Sequence, residues 1–198
     1  MLYCATTNPG KLREFQLAAA RDGFAVETVP GLAAIPAPEE TGTTFRENAV
    51  IKALAYSRHA PGLVFVDDSG LAVDALGGAP GVHSARYAGP QATDEENNRL
   101  VLDKLGETFH RTARFICVIA LAREGALIET FEAKVEGELL RTPRGTRGFG
   151  YDPLFFYPPF GSTLAEASAE QKISVSHRGK ALAQLFAYLA ARRESFQV

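Results

Sequence analysis

LVFVDDSG, residues 63–70, is the stretch on which the reading of this chain turns. Four apolar, β-favouring residues run into two adjacent carboxylates, a hydroxyl and a glycine. The pattern predicts a buried strand that delivers Asp67 and Asp68 to its carboxyl end. Two neighbouring negative charges there need a metal, a proton or a basic partner. The plainer reading is a strand followed by an Asx-type turn, because Asp, Ser and Gly are ordinary turn residues. Taken alone, the eight residues leave both readings open.

With 198 residues, 46% of them hydrophobic and 22% charged, the chain is sized for a single domain over 1–198 with a substantial core. Its 21 basic and 23 acidic residues give a formal charge of -2, which argues against general affinity for nucleic acid or a membrane surface. A phosphate ligand would have to be bound locally. Cys4 and Cys117 both fall in apolar, strand-like runs, where cysteine behaves as a small core residue, and a reducing compartment fits them. The start of the chain shows no basic segment followed by an apolar one. The longest mostly apolar segment, Ala181 to Ala191, is too short for a span and is interrupted by Gln184. A soluble, cytoplasmic protein is the expectation.

Upstream of the decisive stretch, Leu2 to Thr6 reads as a short buried strand entering the loop Thr7, Asn8, Pro9, Gly10, Lys11. Asn8 suits an N-cap and Pro9 the first helical position, while Leu12, Phe15 and Ala19 recur at helical spacing through Arg21. A helix N-terminus aimed at a loop with Thr6, Thr7, Asn8 and Lys11 favours an anion such as phosphate. A well-capped surface helix is the competing account, and the loop is not a Walker A sequence. A second strand is expected over 25–29, then an irregular stretch with Glu39 and Glu40. Thr44 and Glu47 form a capping box for a helix to about His59, with Lys52 on its polar side.

Downstream, residues 71–89 are Gly- and Ala-rich without a sustained period, and irregular segments of this length are usually functional. Thr93 and Glu96 make a second capping box, for a helix to about Gly106. Residues 113–122 and 126–136 read as two strands of a hairpin, suited to a lobe or a dimer surface. In RTPRGTRGFGYD, residues 141–152, Phe149 and Tyr151 offer flat faces for a ring, Gly150 allows close approach, and Asp152 can accept from ring N–H groups. The alternative is a turn whose aromatics plug the core. A short strand is expected over 153–157, and Thr163 with Glu166 as the cap of a brief helical turn. KISVSHRGK, residues 172–180, leads into a C-terminal helix with Ser176 as its cap. His177 and Arg178 then lie in the first turn, where the helix dipole disfavours cations unless an acceptor-rich ligand is near.

Together these segments supply an anion loop, an acid cluster, an aromatic loop and a Lys-His-Arg cluster, the parts required for a nucleoside triphosphate with a divalent metal. Mg2+ takes oxygen ligands and keeps waters, so one or two carboxylates plus phosphate oxygens suffice.

TTNPGK, EETGTTFRENAVIKA, VDDSGLAVDALGGAPGVHSARYAG, GFGYDPLF and KISVSHRG, in this order and across nearly the whole chain, resemble the inosine triphosphate pyrophosphatase (Ham1-like) family. Arg147, before GFGYDP, stands where close relatives often have a small residue, and the adjacent Glu39 and Glu40 leave the metal-binding glutamate ambiguous. The resemblance implies an elongated α/β fold, a mixed sheet flanked by helices with two lobes around a central nucleotide-binding cleft. It implies hydrolysis of ITP, dITP or XTP to monophosphate and pyrophosphate, with Mg2+ as cofactor and a homodimer as the assembly.

Carried over by the matching motifs, Thr6, Thr7, Asn8, Pro9, Gly10, Lys11 and Lys52 hold the triphosphate. Asp68 is proton acceptor and metal ligand, with Asp67, Glu39 and Glu40 as further metal candidates, and Ser69 contacts substrate. Phe149, Gly150, Tyr151, Asp152, Lys172, His177 and Arg178 form the base and sugar pocket. A 6-keto purine presents an acceptor at O6 and a donor at N1, which suits Arg or His against Asp; adenine reverses the pattern. The competing expectation is a purine-nucleotide sensor without useful catalysis, against which the retained Asp67, Asp68, Glu39, Glu40 and Lys52 speak. A nucleic-acid binder would need an extended basic face.

Overall fold

The computed structural model describes residues 1–196, in which seven strands and six α-helices are found. In chain order they are β1 (Leu2–Cys4), α1 (Pro9–Arg21), β2 (Val26–Thr28), α2 (Phe45–Tyr56), β3 (Leu63–Val73), α3 (Asp94–Leu105), β4 (Thr112–Arg123) and β5 (Ala126–Leu139). After these come β6 (Phe155–Tyr157), β7 (Ser162–Thr163), α4 (Ala169–Val175), α5 (His177–Ala190) and α6 (Arg193–Phe196). The strands form one sheet in the order β2-β1-β3-β4-β5-β6-β7. Pairing is parallel on both sides of β1 and antiparallel through β5, β6 and β7, so the fold is mixed α/β. None of the described helices is long and apolar enough to cross a membrane.

The chain divides into two compact units: Met1–Asp68 with Cys117–Ala133 and the chain from Arg178, and Ser69–Ile116 with Lys134–His177. In the first unit, the period of two along β3 explains the layering. Val64 and Val66 share a core cluster with Ala49, Ala53 and Tyr56 of α2. Phe65 points the other way and meets Phe15 of α1 edge-on, ring centres 5.0 Å apart. Both phenylalanines are fully buried, each contributing about 1.5–3 kcal/mol of burial free energy. The second unit has its own core, in which Leu71 and Val73 of β3 join Val101 and Leu105 of α3 with Phe115, Leu139, Leu154 and Phe155.

Several expectations hold. Asn8 caps α1, its side-chain oxygen accepting from the Gly10 and Lys11 N–H groups, with Pro9 at the first helical position. Thr44–Glu47 and Thr93–Glu96 form complete capping boxes on α2 and α3. β4 and β5 are joined by Glu124 and Gly125, both at positive φ (53° and 79°), the geometry a two-residue hairpin turn needs.

Other expectations are corrected. β3 does not end at the acid pair: it continues through Ser69 and Gly70 to Val73, because Leu71, Ala72 and Val73 resume a buried apolar run. Asp67 and Asp68 are therefore mid-strand residues, and the Asx-turn reading fails. Thr163 lies in β7 rather than capping a helix, although the Glu166 carboxylate does accept its N–H at 2.7 Å. Lys172 to Val175 is helical, the end of α4, which a Ser168–Gln171 capping box starts. The two cysteines are free and buried, as expected, with both thiols pushed up by burial, Cys4 to about 12.

Candidate active site

Adjacent residues of a strand point to opposite faces, and this divides the acid pair. Asp67 follows Leu63 and Phe65 to the side of α1 and α5. Lys11 of α1 lies 3.0 Å from its carboxylate, and Arg178 of α5 donates through Nε at 3.3 Å. Arg178 also donates to Glu14 of α1, so this buried guanidinium joins two carboxylates. Burial alone would raise the Asp67 carboxyl, but Lys11, then Arg178 and Lys52, outweigh it and hold it well below the usual carboxylate range.

Asp68 follows Val64 and Val66 to the side of α2. Lys52 of α2 places Nζ 2.7 Å from Asp68 Oδ1 and 3.3 Å from a Glu40 oxygen. The other oxygen, Oδ2, is buried without a hydrogen-bond partner among the described residues. Here burial prevails over Lys52, and the Asp68 carboxyl sits above its ordinary value. Lys52 is itself raised: burial opposes its charge, but Asp68 and Asp67 outweigh burial. Two neighbouring carboxylates are thus driven apart, Asp67 favoured in its charged form and Asp68 shifted toward its protonated one.

Thr6 is half-buried and accepts the Asn8 N–H at 3.2 Å, Thr7, Asn8 and Pro9 are exposed, and Gly10 is buried. Glu39 is exposed, whereas Glu40 is half-buried with an oxygen 3.3 Å from Lys52 Nζ, so of the two it is Glu40 that lies at the cluster. Asp67 is committed to Lys11 and Arg178. In sum, three cations (Lys11, Lys52, Arg178) meet four carboxylates (Glu14, Glu40, Asp67, Asp68).

A second cluster belongs to the other unit, which begins at Ser69, a half-buried residue. Asp152, buried, accepts from the Phe149 N–H at 2.9 Å and from Lys172. The Lys172 ammonium lies 4.6 Å from the centre of the Phe149 ring. Gly148 is required beside them, since a Cβ there would stand 2.2 Å from Asp152 Oδ2. His177 is buried with its ring stacked on Phe115, centres 4.8 Å apart. Of the two aromatics expected to offer flat faces, only Phe149 is partly exposed. Tyr151 is a core residue whose hydroxyl donates to the Ser84 carbonyl at 2.7 Å, and burial raises it. Arg178 belongs with Asp67 and Glu14 in the first unit.

No sequence motif singles out Glu14. Its only signal is position: on α1 it lies one helical turn beyond Lys11, and its partner Arg178 is 164 residues away.

The Ham1 family profile matches residues 2–188. A protein of Acidobacterium capsulatum named dITP/XTP pyrophosphatase is 50% identical over 197 residues, covering 95% of this chain and 97% of that one. One of an Exiguobacterium species with the same name is 49% identical over 187 residues, covering 93% and 94%. Among solved structures, the Staphylococcus aureus Ham1 protein superposes with a TM-score of 0.85 at 40% identity, covering 96% of this chain and 98% of that chain. A Mycobacterium abscessus structure described as a nucleoside-triphosphatase / dITP/XTP pyrophosphatase gives 0.71 at 40% identity, covering 95% and 98%.

Proposed function

The chain belongs to the Ham1 family, and on that premise we propose that it hydrolyses dITP, ITP and XTP to the nucleoside monophosphate and pyrophosphate. The observation that carries this reading is the asymmetric acid pair: Asp67 saturated by Lys11 and Arg178, Asp68 raised and holding one buried oxygen without a partner.

A divalent cation fits these residues. Four carboxylates already balance three cations, so a polyphosphate entering this cluster needs positive charge brought with it. Among the described residues no group of three or more His, Cys, Asp or Glu forms a ligand set. Asp68 and Glu40 would hold the ion together with phosphate oxygens and water, the mode Mg2+ favours. When bound, Mg2+ supplies neutralisation of the phosphate charge.

The chain's own groups account for the rest. Lys11 and Lys52, released in part from their carboxylates, pair with phosphate oxygens. A water adds to phosphorus at the α–β anhydride, its proton passes to the Asp68 carboxylate, and the P–O–P bridge breaks to leave monophosphate and pyrophosphate. Asp67 keeps Lys11 and Arg178 in place and takes no proton. Taken by itself, the second unit offers Asp152 as an acceptor for a base N–H, the Phe149 ring as a flat face and Lys172 as a donor. A base that cannot pair with this buried set is rejected more strongly than by shape alone.

The test is a steady-state panel of ITP, dITP, XTP, ATP and GTP, with and without Mg2+ and with product identification. Pyrophosphate from the 6-keto substrates, faster than from ATP and GTP and only with Mg2+, is expected. Orthophosphate as product, or turnover no faster than that of ATP and GTP, rejects the reading. A homodimer is part of the same proposal, carried from the family resemblance and checked by sedimentation.

A further inference from the structure

Helix α3 contributes none of the groups assigned above, yet its first turns grip the aromatic loop. The Gly150 N–H donates to Asp94 Oδ2 at 2.6 Å, and the Asn98 side-chain amide donates to the Gly150 carbonyl at 2.8 Å. The same amide donates to the Asp94 carbonyl at 2.7 Å, so Asn98 binds the loop to its own helix. Residues 94 and 98 are one turn apart on one helix face. Both polar groups of a single glycine are therefore held from one surface.

Asp94 is not needed as a cap. Thr93 and Glu96 complete a capping box on their own, which leaves the Asp94 carboxylate to reach outside the helix. The gripped glycine sits between Phe149, whose N–H binds Asp152, and Tyr151, whose ring is fixed in the core. Tyr151 anchors one side of the loop already. On the other side the Phe149 ring is partly exposed, and its direction depends on the peptide planes that meet at Gly150.

We propose that Asp94 and Asn98 are positioning residues for base recognition, setting Phe149 and, through the Phe149 N–H, Asp152 by clamping Gly150. This rests on the reading that Phe149 and Asp152 meet the purine. It adds α3 to the determinants of substrate selectivity, although its side chains act through the loop.

The test compares Asp94→Ala and Asn98→Asp with Asp94→Asn, which keeps an acceptor oxygen, and with Glu95→Ala, which removes the same charge from the same helical turn without touching the loop. Folding is checked by circular dichroism and thermal melts. In the two disruptive variants KM for ITP should rise about tenfold, the loss expected for one hydrogen bond, and the ITP-to-ATP ratio of kcat/KM should fall alongside. The inhibition constant of inorganic tripolyphosphate with Mg2+, a probe of the phosphate half alone, should stay within about twofold, a change too small for a lost hydrogen bond. Asp94→Asn should restore most of the KM, and Glu95→Ala should leave it unchanged.

Folded Asp94→Ala and Asn98→Asp with the KM and selectivity of Glu95→Ala overturn the inference. So does tripolyphosphate inhibition that weakens as much as KM, which would mark general loosening. A wild-type protein that releases no pyrophosphate from ITP overturns the functional reading together with this one, and that outcome is distinct from normal turnover with unmoved variants.

Discussion

Lys52 holds Asp68 by one oxygen only: Nζ lies 2.7 Å from Oδ1, while Oδ2 is buried and has no hydrogen-bond partner among the described residues. An unpartnered buried carboxylate oxygen is costly, and the proposed function gives this one a partner that arrives with the ligand.

Asp68→Asn keeps the shape of the side chain and removes its ability to take a proton. Turnover of ITP should fall by about 10²–10⁴, the usual worth of a positioned general base. Nucleotide binding, measured by calorimetry with Mg2+, should persist. The melting temperature should hold or rise, because burial opposes the charge at this position. Turnover within about threefold of wild type, far less than a lost general base costs, would remove Asp68 from its role.

Asp67→Asn should behave in the opposite way. The substitution leaves Lys11 without its carboxylate and Arg178 with Glu14 alone, in a buried setting. Breaking one partner of such a pair costs about 3–5 kcal/mol, about 10 °C in Tm for a chain of this size. The sign with pH follows from the lowered carboxyl: the folded form holds its charge to lower pH than the unfolded chain. Its stabilisation is therefore complete above the ordinary carboxylate value and is lost as pH falls below it. Denaturant melts between pH 7 and pH 3 should show wild-type stability falling toward that of the variant. A constant difference between the two across that range would contradict the assignment.

On the proposed mechanism the raised Asp68 carboxyl sets the acid limb of the pH–rate profile. The charged form is the competent base, so kcat/KM should fall as pH drops through a value above the 3.8 of an ordinary aspartate. Lys52 is the main group opposing burial there, so Lys52→Ala should move the limb to higher pH as well as weaken binding. A limb at the ordinary value in wild type, or one that moves down in Lys52→Ala, would show that another group titrates.

Which of these features the sequence displays depends on how local the physics is. The caps of α1, α2 and α3 were legible because each is written within four residues, as Asn8-Pro9, Thr44–Glu47 and Thr93–Glu96. The same kind of signal, Ser168–Gln171, marks α4 and was obscured by the β-branched and Ser residues of KISVS that follow. The course of β3 is hidden because DDSG is also a turn composition, and only the packing of Leu71 and Val73 in the second core decides that the strand continues. The motifs carried Asp68, Lys52 and Asp152 to the candidate site. They did not carry Glu14, whose meaning lies in a contact with a residue 164 positions away. Nor did they reveal that Tyr151 and Phe149, two residues apart, differ in burial, since an alternating aromatic-glycine run reads the same in a pocket and in a core.

Gly148 offers the sharpest separation of selectivity from fold. It lies at φ 75°, where an L side chain costs about 1–2 kcal/mol, and a Cβ there would stand 2.2 Å from Asp152 Oδ2. The turn is exposed at Gly148, so Gly148→Ala should fold with a modest loss of Tm while forcing the Asp152 carboxylate from its place between the Phe149 N–H and Lys172. If Asp152 reads the purine N–H, kcat/KM for ITP and XTP should drop about tenfold or more. ATP, which makes no such pairing, should be nearly unaffected, so the two classes of substrate converge. The competitive inhibition by tripolyphosphate should not change, because its proposed partners Lys11 and Lys52 belong to the other unit. An equal loss for ITP and ATP would assign Asp152 to the architecture of the loop and take base selection away from it.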